Sequence, residues 1–385
     1  MIRQHSIIPF DLGGSLDPKA GAEVLATAGF LQLGSKAYVP GHWLDFQHPD
    51  KPCRFLIHPD GFGCMVVRPY EQPGELTDEL VGEALVARRR FHCEMISGSH
   101  AFCEVIRELR GLFRSKARLR ARTSLFWESC PYVLSLFCVQ TGQKPSGAEK
   151  RRLASLVEPS VVFGEDKPGD GQASSAYVIA GKVPKVSVKC CDQLLVDHDV
   201  SEESAVFISW AGVVITSEGQ ETLDVICEEI ISLEARLQVG WTMLHYVNKW
   251  KHVALDSSKP LKGAFELRWQ MARMIETTED LVDASVPTRL KKIYTELVSS
   301  SGFEEEKRKA ERGLAAAAEY ANLISERAEH KYRIVVEILL FLFGFCQVIP
   351  LVFEVPLVRF PMWTLWPTVM AAVLLVAVRY ARLRQ

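Results

Sequence analysis

The spacing of hydrophobic residues changes twice along the chain and divides it into three parts. In residues 1–218, short β-type runs alternate with helical stretches and polar turns, which is typical of a mixed α and β domain. The runs that predict strands are 6–10, 55–67, 132–139, 177–179, 186–188 and 206–215. A polar, glycine-rich segment at 164–175 indicates an exposed loop or a subdomain boundary. Residues 219–333 follow helical spacing, and 334–378 are mainly apolar.

The 219–333 part predicts a long helical stalk with coiled-coil character. Its first helix repeats apolar residues at alternating steps of three and four, which is the spacing of a coiled-coil seam. The seam residues are Leu223, Ile226, Ile230, Leu233, Leu237, Gly240, Leu244 and Val247. Pro260 and Pro287 interrupt the helical pattern, and a further helix starts at Phe303. The seam indicates packing either within one chain or between subunits, and we expect a homo-oligomer.

Two apolar runs near the C-terminus predict a transmembrane hairpin. Residues 334–353 contain one charged residue, Glu337, and residues 362–378 contain none. A helix of about 20 apolar residues matches the roughly 30 Å hydrocarbon core of a bilayer. The segment 354–361 between them is short enough to join two antiparallel helices. The alternative is a helical hairpin buried in a protein core.

The charged residues around the two runs predict their orientation. Basic residues precede the first run and fill the tail at 379–385, whereas the connecting segment contains only Arg359. The positive-inside rule therefore places both termini in the cytoplasm. The predicted fold is an α+β cytoplasmic N-terminal domain (1–218), a helical coiled-coil stalk (219–333), a C-terminal two-helix transmembrane hairpin (334–378) and a basic cytoplasmic tail.

Composition and charge narrow the class of protein. The chain has 385 residues, of which 48% are hydrophobic and 24% charged, and this mix excludes a disordered protein. The formal net charge of −2 excludes a protein that binds nucleic acid along its whole surface. Ten cysteines occur without a CxxC pair, and the N-terminus has no apolar signal sequence. We therefore expect reduced thiols and no metal ligands.

The sequence carries no motif for catalysis. It lacks a P-loop, a dinucleotide-binding GxGxxG, a GxSxG nucleophile turn and an HExxH pair. The segment with His42, Asp45, His48 and Asp50 matches no metal-ligand spacing, and a turn-rich surface loop explains it better. We predict that the protein is not an enzyme, with no catalytic residue, and the sequence identifies no cofactor.

An arginine-rich stretch is the most unusual feature of the N-terminal part. The candidate anion-binding residues are Arg107, Arg110, Arg114, Arg118, Arg120 and Arg122. Arginine forks match phosphate oxygens, so a polyanion is the expected partner if this stretch binds a ligand: a nucleotide, a nucleic acid or an anionic lipid. The alternative is a helix face exposed to solvent and paired with acidic residues.

The order of the C-terminal parts resembles that of CorA-like two-transmembrane-helix proteins. The matching parts are a helix from 303 to 353, the short segment 354–361, the apolar run 362–378 and the basic tail. The residues Cys346-Gln347-Val348-Ile349-Pro350 stand where that family has Gly-Met-Asn. The resemblance implies an oligomeric protein of the cell inner membrane whose cytoplasmic domain is connected to the spans by a long helix.

These observations predict an integral membrane protein with a cytoplasmic sensor or gating domain. It would be an oligomeric ion channel, a transporter or a membrane-disrupting effector, with Glu337 and Gln347 as pore candidates and the lipid bilayer as its partner. The alternative is a non-conducting membrane-anchored scaffold or regulatory protein that binds a cytoplasmic partner. An anchored enzyme ranks last because no catalytic motif is present.

Overall fold

A computed structural model of the chain describes most of its residues and divides it into two compact units. The first unit contains Met1–Tyr246 and Thr277–Lys307, and the second contains Val247–Glu276 and the chain from Arg308 onward. The described residues are 1–33, 43–116, 120–121, 133–141, 147–157, 195–196, 204–210, 212–254, 261–283 and 286–352.

The first unit is built on a mixed sheet. Its strands are β1 (Ile2–Asp11), β2 (Gly14–Ser15), β3 (Leu31–Gln32), β4 (Leu44–Gln47), β5 (Cys53–Ile57), β6 (Phe62–Gln72), β7 (Arg120–Ala121), β8 (Leu134–Gln140), β9 (Ser204–Ser209) and β10 (Gly212–Ser217). Eight of them form one sheet in the order β3-β4-β5-β6-β1-β8-β10-β9, and β2 pairs with β7. Of the described pairs in the large sheet, β8 with β10 is parallel and the others are antiparallel.

The described helices flank this sheet or follow it in the chain. They are α1 (Pro18–Thr27), α2 (Asp78–Ser97), α3 (Ala101–Lys116), α4 (Gly147–Val157), α5 (Gln220–Ala254), α6 (Leu261–Asp283), α7 (Thr288–Ser300) and α8 (Phe303–Val352). Local sequence explains where α2 begins and ends. The Thr77 hydroxyl accepts a hydrogen bond from the Leu80 N–H at its start, and Gly98 ends it with a left-handed φ of 76°.

One face of the sheet carries most of the apolar core. Residues of β1, β5 and β6 pack there against α1 and α3, as Phe10, Phe55 and Phe113 illustrate with almost no exposed surface. At the other end of the same face, Phe137 and Val214 pack against α2 and α4. These positions alternate along each strand, because successive side chains of a strand point to opposite faces.

The opposite face of the sheet is covered by α5, and this corrects the predicted stalk. The Cys64 thiol lies 3.6 Å from the Ala235 carbonyl oxygen, and the rings of Phe62 and Tyr246 are 6.0 Å apart. The apolar seam that predicted a coiled coil therefore packs within a sheet-based fold. The fold-class prediction is wrong here, because a three-four repeat records that a helix has an apolar face but not which element covers that face.

The structure also overturns the predicted transmembrane hairpin. Among the described residues, no helix combines the length and the apolar character needed to cross a membrane. In α8, Arg333 and Glu337 form an exposed ion pair at 3.1 Å, and the apolar side chains of Ile334 and Ile338 beside them are also exposed. The predictions of an integral membrane protein, of a channel, transporter or membrane-disrupting effector, and of a cell-membrane location are corrected accordingly.

Several predicted parts lie outside the described residues. These are the connecting segment 354–361, the second apolar run 362–378, the basic tail 379–385 and the boundary segment 164–175.

Candidate metal centre

The face of the sheet covered by α5 brings together one histidine and two cysteines. His5 lies on β1, Cys138 on β8 and Cys227 on α5. A ring nitrogen of His5 and the two Sγ atoms all lie within 4.8 Å of one another. This arrangement of one nitrogen and two sulfur donors is a candidate metal centre.

The strand register places the first two side chains side by side. In the antiparallel pair of β1 and β8, Arg3 is opposite Cys138 and His5 is opposite Leu136. His5 therefore shares a sheet face with Cys138 and is its diagonal neighbour, a separation that a long side chain can bridge. In the sheet, β1 lies between β6 and β8, and β8 lies between β1 and β10. His5 and Cys138 are therefore on interior strands of the sheet.

Two ion pairs position the third side chain. Asp224 pairs with Arg3 of β1, and Glu228 pairs with Arg54 of β5 at 2.7 Å. Cys227 lies between these two acids in the first turns of α5, so the pairs hold its turn of the helix against the sheet.

Arg54 is itself held in a fixed position by a second acid. Its Nε and Nη2 atoms donate to the two carboxylate oxygens of Asp45, both at 2.7 Å. A bidentate pair of this kind fixes the orientation of the guanidinium, so Glu228 meets a preoriented partner.

The three candidate ligands are shielded from solvent. The exposed fractions of His5, Cys138 and Cys227 are 6%, 0% and 2%. A hydrogen bond with Cys138 and burial together raise the pKa of Cys227 well above its ordinary value, although the His5 imidazole opposes this change. The Cys227 thiol is therefore protonated at neutral pH in the metal-free protein, and a metal ion must displace its proton.

Two observations indicate that the site is suited to a ligand. Cys138 and Cys227 are both free thiols. His5 Nε2 is buried and makes no hydrogen bond of ordinary geometry, and the group that the His5 imidazole influences most directly is the Cys227 thiol. A bound ion would give this buried nitrogen a strong partner.

The donor set selects the kind of metal. Thiolate and imidazole together favour zinc or monovalent copper over magnesium or calcium, which prefer oxygen. Zinc bonds of about 2.0–2.3 Å would hold the donors of one ion roughly 3.5–4 Å apart, so the observed spacing requires only a small contraction. With two thiolates and a neutral imidazole, a divalent ion gives a site of zero net charge, which suits a buried location.

The structure describes the side chains of only some of the residues that were predicted to bind an anion. Arg107, Arg110 and Arg114 lie on α3, where Arg107 Nε donates to the Cys103 carbonyl and Arg110 Nε donates to the Asp11 carbonyl at 2.7 Å. Arg114 is exposed. Arg118 and Arg122 lie outside the described residues, and the side chain of Arg120 is not described either. Anion binding by this stretch stays a prediction.

The other candidates from the sequence are used differently. Glu337 pairs with Arg333 on the surface of α8, and Gln347 belongs to the same helix, with its side chain outside the description. Asp45 accepts both bonds from Arg54, and His48 Nδ1 accepts hydrogen bonds from the N–H groups of Asp50 and Lys51. His42 lies outside the described residues.

The candidate metal centre could not be recognised in the sequence because its three ligands are far apart in the chain. They stand at positions 5, 138 and 227, whereas recognisable metal motifs place their ligands in closely spaced pairs. A partial signal was present: Cys138 lies within a run predicted to be a strand, His5 directly precedes another such run, and Cys227 follows Ile226 of the apolar helical seam.

No family model, curated protein or solved structure matches the chain. The comparisons therefore give no support to the resemblance to CorA-like proteins. The keyword prediction of ion transport is overturned together with the predicted spans.

Proposed function

We propose that this protein is a metalloprotein that binds one zinc-class divalent ion through His5, Cys138 and Cys227. The observation that carries the proposal is the convergence of the three buried donor atoms within 4.8 Å. A covered site favours a structural or sensory role over a catalytic one, because a catalytic metal keeps an open position for its substrate.

Metal binding at this site must release protons. Both cysteines are expected to bind as thiolates, and the raised pKa of Cys227 makes loss of its proton unfavourable without a metal. Affinity should therefore increase steeply with pH across the neutral range.

The direct test is metal loading of the purified, reduced protein. We expect one equivalent of Zn²⁺ by elemental analysis, and Co²⁺ should give the sulfur-to-cobalt charge-transfer absorption of a thiolate site. The variants His5→Ala, Cys138→Ser and Cys227→Ser should each lose this stoichiometric binding.

Cys64→Ser is the matched control for these variants. Cys64 is a buried thiol on the same sheet face, outside the cluster, and serine can still donate a hydrogen bond to the Ala235 carbonyl. A wild-type protein that binds no metal, or a Cys227→Ser variant that binds as much as Cys64→Ser does, would refute the proposal.

Monovalent copper is the second candidate ion. The observation that favours it is the number of donor atoms, since the cluster has three among the described residues. Two of these donors are cysteine sulfurs, and thiolate ligands select Cu⁺. Anaerobic competition between Cu⁺ and Zn²⁺ for the purified protein distinguishes the two ions.

A further inference from the structure

The candidate ligands belong to two different layers of the first unit. His5 and Cys138 come from neighbouring strands, whereas Cys227 comes from the helix that covers them. An ion bound to all three would therefore join α5 to the sheet directly. The cluster also lies near the start of α5, within its first three turns.

The other polar contacts that hold this end of α5 are accessible to water. The side chains of Asp224 and Glu228, which pair with Arg3 and Arg54, are 47% and 40% exposed. Each pair is weaker than a fully buried one, because water and salt compete for its exposed carboxylate. Leu223 and Ile230 are buried here, so apolar packing supplies the remaining contact.

Further along, α5 buries polar groups whose partners lie on α6 and α7: Glu229 pairs with Arg289, and Arg236 Nη2 donates to the Leu281 carbonyl. Glu229, Glu234, Arg236 and Gln238 are each less than a tenth exposed. Among the described residues, Glu229 Oε2, Arg236 Nε and Gln238 Oε1 have no hydrogen-bond partner. Burying a polar atom without a partner is unfavourable, whereas water would solvate the same atom on an undocked helix.

We propose that metal binding controls the docking of α5 on the sheet. The inference rests on the proposed function and assigns the ion a regulatory role: a zinc-class ion holds the first turns of the helix in place, and its loss lets them separate from β1 and β8. Because the three ligands join the first turns of α5 to β1 and β8, these turns are the part of the helix that responds.

The experiment is hydrogen–deuterium exchange of the full chain, read by mass spectrometry, with one equivalent of Zn²⁺ and with a chelator. Peptides covering 222–234 report on α5, and peptides covering 80–95 of α2 report on general stabilisation. We expect Zn²⁺ to slow exchange in α5 at least ten times more than in α2.

Two variants connect this response to the metal ligands. Cys227→Ser should abolish the zinc effect on α5. His5→Gln should abolish it as well, although α5 itself is unchanged in that variant, and it provides the test if Cys227→Ser fails to fold. Cys64→Ser should keep the wild-type response.

The outcomes separate this inference from the proposed function. If one equivalent of Zn²⁺ binds through the three ligands but α5 slows no more than α2, the ion does not control docking, and the proposed function is retained. If no metal binds, the proposed function fails, and this inference fails with it. A zinc effect on α5 that persists in His5→Gln would also overturn the inference.

Discussion

At the residue scale, the interior of the first unit contains a carboxyl group and an imidazole that burial keeps neutral. Burial raises the pKa of Glu234 to about 7, and its hydrogen bond with Gln238 only partly opposes this. Burial, assisted by the nearby charge of Arg88, lowers the pKa of His92 to about 3. Stability should therefore change in opposite directions with pH at these two residues.

Glu234 should make the protein less stable as pH rises. Between about pH 4.5 and 7 the folded protein keeps a proton on this carboxyl that the unfolded chain has lost, so stability falls as pH rises through that window. The total loss should be on the order of 3 kcal/mol. Glu234→Gln should remove this loss and be more stable than wild type at pH 8, measured by urea unfolding at pH 5 and pH 8.

Glu221→Gln is the control for that measurement, because Glu221 is an exposed residue of the same helix. If Glu234→Gln and Glu221→Gln show the same dependence of stability on pH as wild type, Glu234 is not buried as a neutral acid.

His92 should make the protein sensitive to acid. Its Nε2 lies 2.9 Å from the Ser135 hydroxyl, in a site that disfavours the imidazolium. Below about pH 6.5 the unfolded chain binds a proton that the native site resists, so stability is lost as pH falls toward 3. His92→Gln, whose amide can still bond Ser135, should shift the midpoint of acid unfolding to lower pH. The same shift in His330→Gln, which alters an exposed histidine of α8, would contradict this explanation.

At the element scale, the turn between β5 and β6 depends on close backbone contact. Gly61 has a φ of 79°, its carbonyl accepts a hydrogen bond from the Leu12 N–H, and a Cβ at this position would lie 1.8 Å from the Gly14 carbonyl oxygen. A side chain here must displace backbone, so this loop is coupled to the one that follows β1.

Two alanine substitutions should therefore have opposite effects. Gly61→Ala should destabilise the protein by at least about 2 kcal/mol, because it combines a backbone clash with a positive φ. Gly111→Ala should stabilise it by up to about 1 kcal/mol, because Gly111 lies in α3 with open space around its Cβ position. Urea unfolding measures both changes, and a tolerated Gly61→Ala would show that the two loops are not in contact.

The arginines of α3 and of the following segment give a second prediction at this scale, which remains a proposal. Arg107 and Arg114 are exposed on α3, whereas Arg110 is bound to the Asp11 carbonyl. If the stretch binds a polyanion, Arg114→Glu with Arg118→Glu should weaken retention on heparin and reduce its dependence on salt. Lys291→Glu with Lys292→Glu removes an equal charge from α7 and serves as the control. Equal retention of the two double variants would favour a solvated helix face.

At the scale of the whole molecule, the candidate metal centre brings three distant parts of the chain together in one buried site. A ligand that binds only the folded state stabilises it in proportion to the logarithm of its concentration. The melting temperature of wild type and of Cys64→Ser should therefore rise with added Zn²⁺, by an amount equivalent to about 2.7 kcal/mol at 100 times Kd. Cys138→Ser should show no such rise, and an equal rise in that variant would indicate binding elsewhere.

Local patterns in the sequence were sufficient for several elements. The β-type runs at 55–67 and 206–215 correspond to the pairs β5 with β6 and β9 with β10, and α7 starts directly after Pro287. Strand alternation, turn residues and proline all act within a few residues, so a single sequence records them. Hydropathy alone led to the predicted hairpin. It shows that a run of residues is apolar, but it does not show what surrounds that run in the folded protein.

What the sequence determined by itself was the identity and approximate extent of many strands and helices, because these depend on neighbouring residues. The tertiary structure alone decided the strand order, the docking of α5 on the sheet and the convergence of the three candidate ligands. The register of β1 with β8 makes His5 and Cys138 neighbours, and the ion pairs of Asp224 and Glu228 bring Cys227 to them. Contacts between residues this far apart arise only when hydrogen-bond register and packing are set together, and no local period in the chain encodes that result.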